Sequence, residues 1–251
     1  MAAGRSAALW NSSRKLGDEI AARQAQFQSS VFQVNAMHAD FSVELSAEDD
    51  FLELPWRAED GEPRYYDLKR QPELLLNIQE TFDNRELGEF LAATNSPSSM
   101  LETSKCDTWT SDELSEEELI YGARCKFASY IDLVFSEGDA RTYSQASDEQ
   151  LEFKRYEELA RTVCGLLKRA PEISAAAEFI IRRCHFGASM PEDSEMEPSG
   201  ENRRHSGYGI TFYLSGYGDD ATEARKRWSI GLKLVENALL QISAARRQAR
   251  E

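Results

Sequence analysis

Cys125-Lys-Phe-Ala-Ser-Tyr-Ile-Asp-Leu-Val-Phe135 is the stretch whose pattern decides the fold class. Cys125, Phe127, Ile131, Leu133 and Phe135 share one side of an extended chain, while Lys126, Tyr130 and Asp132 share the other. That period of two is the signature of a half-buried strand. Downstream, Ser147 and Gln150 form a capping-box pattern for a helix from Asp148 to about Lys168, which buries Tyr156, Leu159, Ala160, Val163 and Leu167 and stops at Pro171. Ala175 to Phe186 reads as a long strand and Gly187 to Ser206 as a polar loop. Tyr208 to Ser215 reads as another strand with Tyr208, Ile210, Phe212 and Leu214 facing inward. The last helix is expected to start near Asp220, with Glu223 as its capping partner, and to bury Trp228, Leu232, Val235, Leu239 and Ile242.

The order strand, helix, strand, strand, helix makes up most of a split βαββαβ unit. The expected fold class is therefore α+β: an antiparallel sheet with helices on one face and a ferredoxin-like βαββα core over residues 121–245. Working toward the N-terminus, Met100 to Thr110 reads as extended, and Ser115 with Glu118 as the cap of a short acidic helix around Leu119. Residues 14–94 are expected to form a helical and hairpin part. Leu16, Ile20, Phe27 and Val31 lie on one stripe of a helix from Arg14 to Ala36. Phe41-Ser-Val-Glu-Leu and Phe51-Leu-Glu-Leu-Pro-Trp alternate like strands and are expected to pair as a hairpin. Pro72 suits the first position of a helix carrying Leu74, Leu75 and Ile78, and Asp83 with Glu86 a second start before Leu87, Phe90 and Leu91.

The 251 residues are 41% hydrophobic and 29% charged, a globular balance that can bury one large core, and a single domain over 1–251 is the expectation. The apolar runs fall far short of the roughly 20 residues a membrane helix needs. The N-terminus has no sustained apolar stretch of the kind a secretory signal carries, so the expected location is cytoplasmic. Cys106, Cys125, Cys164 and Cys184 are unevenly spaced with no Cys-x-x-Cys, which suggests neither a disulfide framework nor a zinc site. A net charge of −15 repels phosphate backbones and anionic lipid, so the expectation is no direct nucleic acid and no membrane partner.

With the apolar sides of the last three strands turned to the helices, the opposite face presents Tyr130, Asp132, Glu178, Arg182, Thr211 and Tyr213, flanked by Lys126 and Ser215. These six are the candidate ligand or interface residues, with Glu178 and Arg182 as a polar pair able to hold a substrate or one another. Tyr217-Gly-Asp-Asp resembles the Gly-Asp-Asp string of RNA-dependent polymerases, where paired carboxylates hold metal ions. Here the string runs straight into an amphipathic helix and reads as a glycine turn followed by an Asp cap. Cys184 and His185 are neighbours on a strand, point to opposite faces and cannot form a nucleophile–base pair. Asp112 to Glu118 holds five carboxylates, a pattern usual for a solvated helix face. The 187–206 loop has the composition of a mobile, tolerated insertion.

No phosphate-cradling glycine loop, serine elbow or metalloprotease motif occurs, and no catalytic residue, metal ligand or cofactor is assigned. The leading expectation is a non-enzymatic interaction or accessory protein that self-associates or binds a protein partner through its sheet face. The alternatives are a small-molecule binder or enzyme with its site on that face, and an acidic inhibitor of a basic, nucleic-acid-binding partner.

Overall fold

The computed structural model describes residues 37–56, 64–136, 149–170, 172–186 and 205–249. It is a mixed α/β structure built on a six-stranded, mostly antiparallel sheet. The strands are β1 (His38–Glu44), β2 (Leu52–Leu54), β3 (Leu101–Ser111), β4 (Cys125–Phe135), β5 (Ala175–Phe186) and β6 (His205–Gly218). The helices are α1 (Glu80–Asp83), α2 (Arg85–Thr94), α3 (Glu149–Leu167) and α4 (Ala221–Gln248), with 3₁₀ turns at Pro72–Asn77 and Glu118–Tyr121. The sheet order is β1-β5-β6-β4-β3, with β2 also pairing to β5.

Alternation carries the strands to their places. Phe179 of β5, Phe212 of β6 and Ile131 of β4 lie in one cross-strand row, as do Ile181, Ile210 and Leu133, and all six are buried. Phe179 and Phe212 stack at 4.9 Å, and Phe90 of α2 packs on Phe212 at 6.1 Å. Trp228 of α4 meets Phe127 edge-on at 4.8 Å and donates from Nε1 to Ser129 Oγ at 2.9 Å, both partners being fully buried. Tyr156 of α3 accepts from Phe135 N at 3.1 Å. Each of these buried polar groups has a partner, which avoids the ~1–3 kcal/mol cost of an orphan. Gly216 allows α4 to lie this close to β6, because a Cβ there would collide with the backbone of Ala224 and Trp228.

Asp220 caps α4, its carboxylate accepting from Glu223 N at 2.9 Å while Glu223 accepts from Asp219 N at 2.9 Å. The Gly-Asp-Asp string is thus a strand end and a helix cap. Ser115 and Glu118 make the expected reciprocal box, Ser115 N to Glu118 Oε2 at 2.9 Å and Glu118 N to Ser115 Oγ at 3.4 Å, ahead of a 3₁₀ turn.

Three expectations are corrected. The segments 41–45 and 51–56 do not form a hairpin: β1 and β2 both run parallel to β5, β1 ending at Glu44 opposite Arg182 and β2 starting at Leu52 opposite Cys184. Residues 45–51 loop out while β5 advances only through Arg183, and Asp49 turns the loop by accepting from Ser46 N at 2.7 Å. Alternation specifies a strand and its faces, whereas its partner is chosen by the rest of the sheet. Second, Asp83 ends α1 instead of capping α2; Asn84 holds the cap position and spends its Nδ2 on Glu80 O and Thr108 Oγ1, both at 3.0 Å. Third, His205 and Ser206 belong to β6 and not to the preceding loop. The helix expected over Arg14–Ala36, Ser147, Pro171 and most of the 187–206 loop lie outside the described residues. No helix among the described residues is long and apolar enough to cross a membrane.

Candidate functional site on the second sheet face

The face turned away from Phe179, Phe212 and Ile131 carries all six candidate residues, because each is an even step along its strand from the others. Tyr130, Tyr213 and Glu178 stand directly opposite one another on β4, β6 and β5, and the row continues to Asp107 on β3 and Asp40 on β1. The Tyr130 and Tyr213 rings are 6.0 Å apart, and Trp109 of β3 lies 6.4 Å from Tyr130. One step along, Asp132 sits opposite Thr211 and accepts its hydroxyl hydrogen bond at 2.8 Å. Arg182 occupies the next step.

Glu178 and Arg182 do not meet. Four residues of strand place them about 13 Å apart. Arg182 instead donates to Glu44 at 2.8 Å and reaches Asp50 at 3.7 Å, tying together the two ends of the loop between β1 and β2. Glu178 is exposed. Asp40, Glu178 and Asp107 make no ion pair among the described residues.

A β-bulge brings in groups that the sequence pattern missed. The register jumps from Thr103 opposite Leu133 to Cys106 opposite Ile131, so Ser104 and Lys105 together face Asp132. Ser104 Oγ donates to Glu53 O of β2 at 2.8 Å, bridging the two edges of the sheet across this face. Lys105 Nζ lies 4.7 Å from the Trp56 ring centroid and 5.6 Å from that of Tyr130. Beyond the bridge, Leu52, Leu54, Val134 and Cys184 form a small buried cluster, with Leu52 pressed onto Gly209. The face is therefore covered at one end and open at the other, where Trp109 remains 37% exposed. The shift of alternation after the bulge is what puts Asp107 and Trp109 beside Tyr130, and a strand read as uniformly extended cannot show it.

Burial pushes the Asp132 carboxyl up to about 6, against the opposing pull of the Thr211 hydrogen bond and the Lys105 and Arg182 charges. The Cys106 thiol is pushed up to about 12, by burial first and then by Glu80, Asp107 and Asp132. Burial, with Asp132 and Asp107 beside it, raises the Tyr130 hydroxyl; burial also raises that of Tyr213, partly countered by Arg182. The hydroxyls on this face, and the Cys106 thiol on the core-facing side opposite Ile131, are neutral hydrogen-bonding groups rather than activated nucleophiles. Cys184 is fully buried and its neighbour His185 packs against Phe51 at 4.7 Å, so the two do point apart.

At the open end, Lys126 and the Tyr217 hydroxyl both donate to Glu118 Oε1, at 2.7 and 3.0 Å, and Tyr121 stacks on Tyr217 at 4.1 Å. The acidic run is thus split: Glu118 turns inward, while Asp112, Glu113, Glu116 and Glu117 are exposed. No protein-family model, curated protein or solved structure matches the chain. Among the described residues no group of His, Cys, Asp and Glu side chains is placed to hold a metal ion.

Proposed function

We propose that this chain is a non-enzymatic interaction or accessory protein that docks a basic protein surface on its second sheet face. The observation that supports the reading most is the row Asp40, Glu178, Tyr213, Tyr130, Asp107. It carries exposed carboxylates without ion pairs on either side of two half-buried tyrosines. Asp40 and Glu178 stand directly opposite each other, an arrangement of like charges that costs stability. A partner presenting arginine or lysine relieves that repulsion, and its cationic groups are attracted to the negative faces of Tyr130, Tyr213 and Trp109. The net charge of −15 steers such a partner from a distance. The ferredoxin-like reading of β4-α3-β5-β6-α4 belongs to the same proposal. It is supported by β6 lying between β4 and β5, antiparallel to both, and by contacts of Tyr156 and Trp228 with the same strand, β4. The remaining position beside β4 is filled by β3, which precedes the unit in sequence instead of following it.

The test compares the wild type with a triple variant, Asp40→Asn, Glu178→Gln and Asp107→Asn, each purified gently from its own cells and weighed by native mass spectrometry. The wild type is expected to carry a basic polypeptide that dissociates as salt shrinks the Debye length from ~10 Å at 0.1 M to ~3 Å at 1 M. The triple variant is expected to fold normally and arrive without it. A wild type that is a bare monomer, or a complex that persists in the triple variant, refutes the proposal; a second copy of this chain as partner replaces it with self-association.

A further inference from the structure

The bulge that aims Lys105 also opens a cleft of about 220 Å³ between β3 and the segment 64–80. Its walls are preformed. Lys69 Nζ donates to Ser99 O at 2.7 Å and to Leu101 O at 2.8 Å, holding the segment across the start of β3. On the far side, Asn84 Nδ2 binds Thr108 Oγ1 at 3.0 Å. Within the cleft, Trp56 and Tyr66 present aromatic rings, and Leu68, Ile78 and Leu91 an apolar floor. Leu68 and Leu91 are 4% and 1% exposed, so this floor is the wall of the core and does not collapse when the cleft is empty.

Lys105 is the informative group at this site. Its ammonium sits over the Trp56 ring and on the edge of the cleft, yet it makes no ion pair among the described residues of a chain with 44 acidic side chains. Asp132 feels the Lys105 charge and Glu80 lines the same cleft, but neither is hydrogen-bonded to Lys105 among the described residues. A cation held against an aromatic ring, above an apolar floor and without a direct ion pair, is half of a recognition site for an anion with an apolar body. The volume lies below the ~300–1,000 Å³ typical of drug-sized pockets, which excludes a dinucleotide or a flavin.

We propose that this cleft binds a small carboxylic acid with an aromatic body, the carboxylate pairing with Lys105 and the ring packing on Trp56 and Tyr66 above Leu68, Ile78 and Leu91. Glu80, also lining the cleft, supplies a partner for an ammonium, so the same chemistry is available from a simple aryl acid or from an aromatic amino acid. The cleft adjoins the docking row, Lys105 lying 5.6 Å from the Tyr130 ring, but ligand binding in it does not require a docked partner.

Calorimetric titration with 3-phenylpropionate, phenylalanine and phenethylamine tests the proposal on the full chain. The two carboxylates are expected to bind and phenethylamine, which has the ring and no carboxylate, is not. Lys105→Gln, with its unfolding curve checked, is expected to weaken the acids about tenfold or more, as for loss of a hydrogen bond to a charged group. In nuclear magnetic resonance spectra the Trp56 indole N–H is expected to shift on titration while that of buried Trp228 stays in place, a readout that needs no variant. Tighter binding of phenylalanine than of phenylpropionate assigns Glu80 to the ammonium; the reverse assigns the site to simple acids. The proposal is overturned if neither acid binds, if phenethylamine binds equally well, or if the acids bind without moving the Trp56 signal.

Discussion

Replacing Asp132 by asparagine should make the protein more stable at neutral pH, although it removes a hydrogen-bonded group from the centre of the candidate site. The carboxyl is only 7% exposed and stands at about 6 against an ordinary 3.8. At about 1.4 kcal/mol per tenfold change in proton affinity, that displacement corresponds to about 3 kcal/mol. The folded state holds this proton more tightly than the unfolded chain does, so the stabilisation is complete below pH 3.8 and is lost as pH rises through about 6. Asparagine keeps an oxygen to accept the Thr211 hydroxyl and has no charge to bury. Lys105 and Arg182 lose an attractive carboxylate, a loss already contained in the displaced pKa of Asp132. The expected net gain at pH 7.5 is about 2–3 kcal/mol, or roughly 4–12 °C in Tm for a chain of this size. Urea unfolding of wild type and Asp132→Asn at intervals from pH 4 to pH 8 measures it. The difference should be near zero at pH 4 and grow to its full value above pH 6. A variant less stable than the wild type at pH 7.5, or a difference that does not change with pH, would refute the account of Asp132. A confirmed gain would mean that the native chain retains a costly acid at this place, as functional sites do.

Two further predictions concern the scaffold. Gly216→Ala should destabilise by about 3 kcal/mol, at the upper end of overpacking costs, because the added methyl meets the backbone of Ala224 and Trp228 and not a movable side chain. Gly165→Ala, on the exposed face of α3 with nothing within 4 Å, should instead stabilise by up to about 1 kcal/mol; thermal melts that fail to separate the two variants would contradict the packing described. Burial raises the Glu118 carboxyl, but hydrogen bonds from Lys126, the Ser115 backbone and Tyr217 outweigh it and leave the pKa below its ordinary 4.5. Glu118→Gln should therefore cost about 1–2 kcal/mol at pH 7, with the deficit shrinking as pH falls below 4.5 and wild-type Glu118 takes up its proton, and a deficit of constant size from pH 7 to pH 3 would count against this network.

Strand identity and facing were legible in the chain itself. The alternation in Cys125–Phe135, Ala175–Phe186 and Tyr208–Ser215 placed Tyr130, Asp132, Glu178, Arg182, Thr211 and Tyr213 on one face, since a period of two leaves no other choice once one side is apolar. Local capping was legible for the same reason of short range: Asp220 with Glu223 and Ser115 with Glu118 act within one turn. Partners across the sheet were not legible. That β1 and β2 both line β5, and that Arg182 therefore pairs with Glu44 and Asp50 and leaves Glu178 without an ion pair, depends on which strands compete for that edge. The bulge at Ser104-Lys105 breaks the period on which the reading rests, so Lys105, Asp107 and Trp109 reach the site by a register that only pairing with β4 sets. Asp132 was visible as a residue, but its raised pKa was not, because burial beneath the bridge from Ser104 to Glu53 is a property of the folded sheet. Sequence alone determined which side chains share a face; the tertiary structure decided which of them touch, which are buried and which remain unsatisfied, because those depend on contacts between residues far apart in the chain.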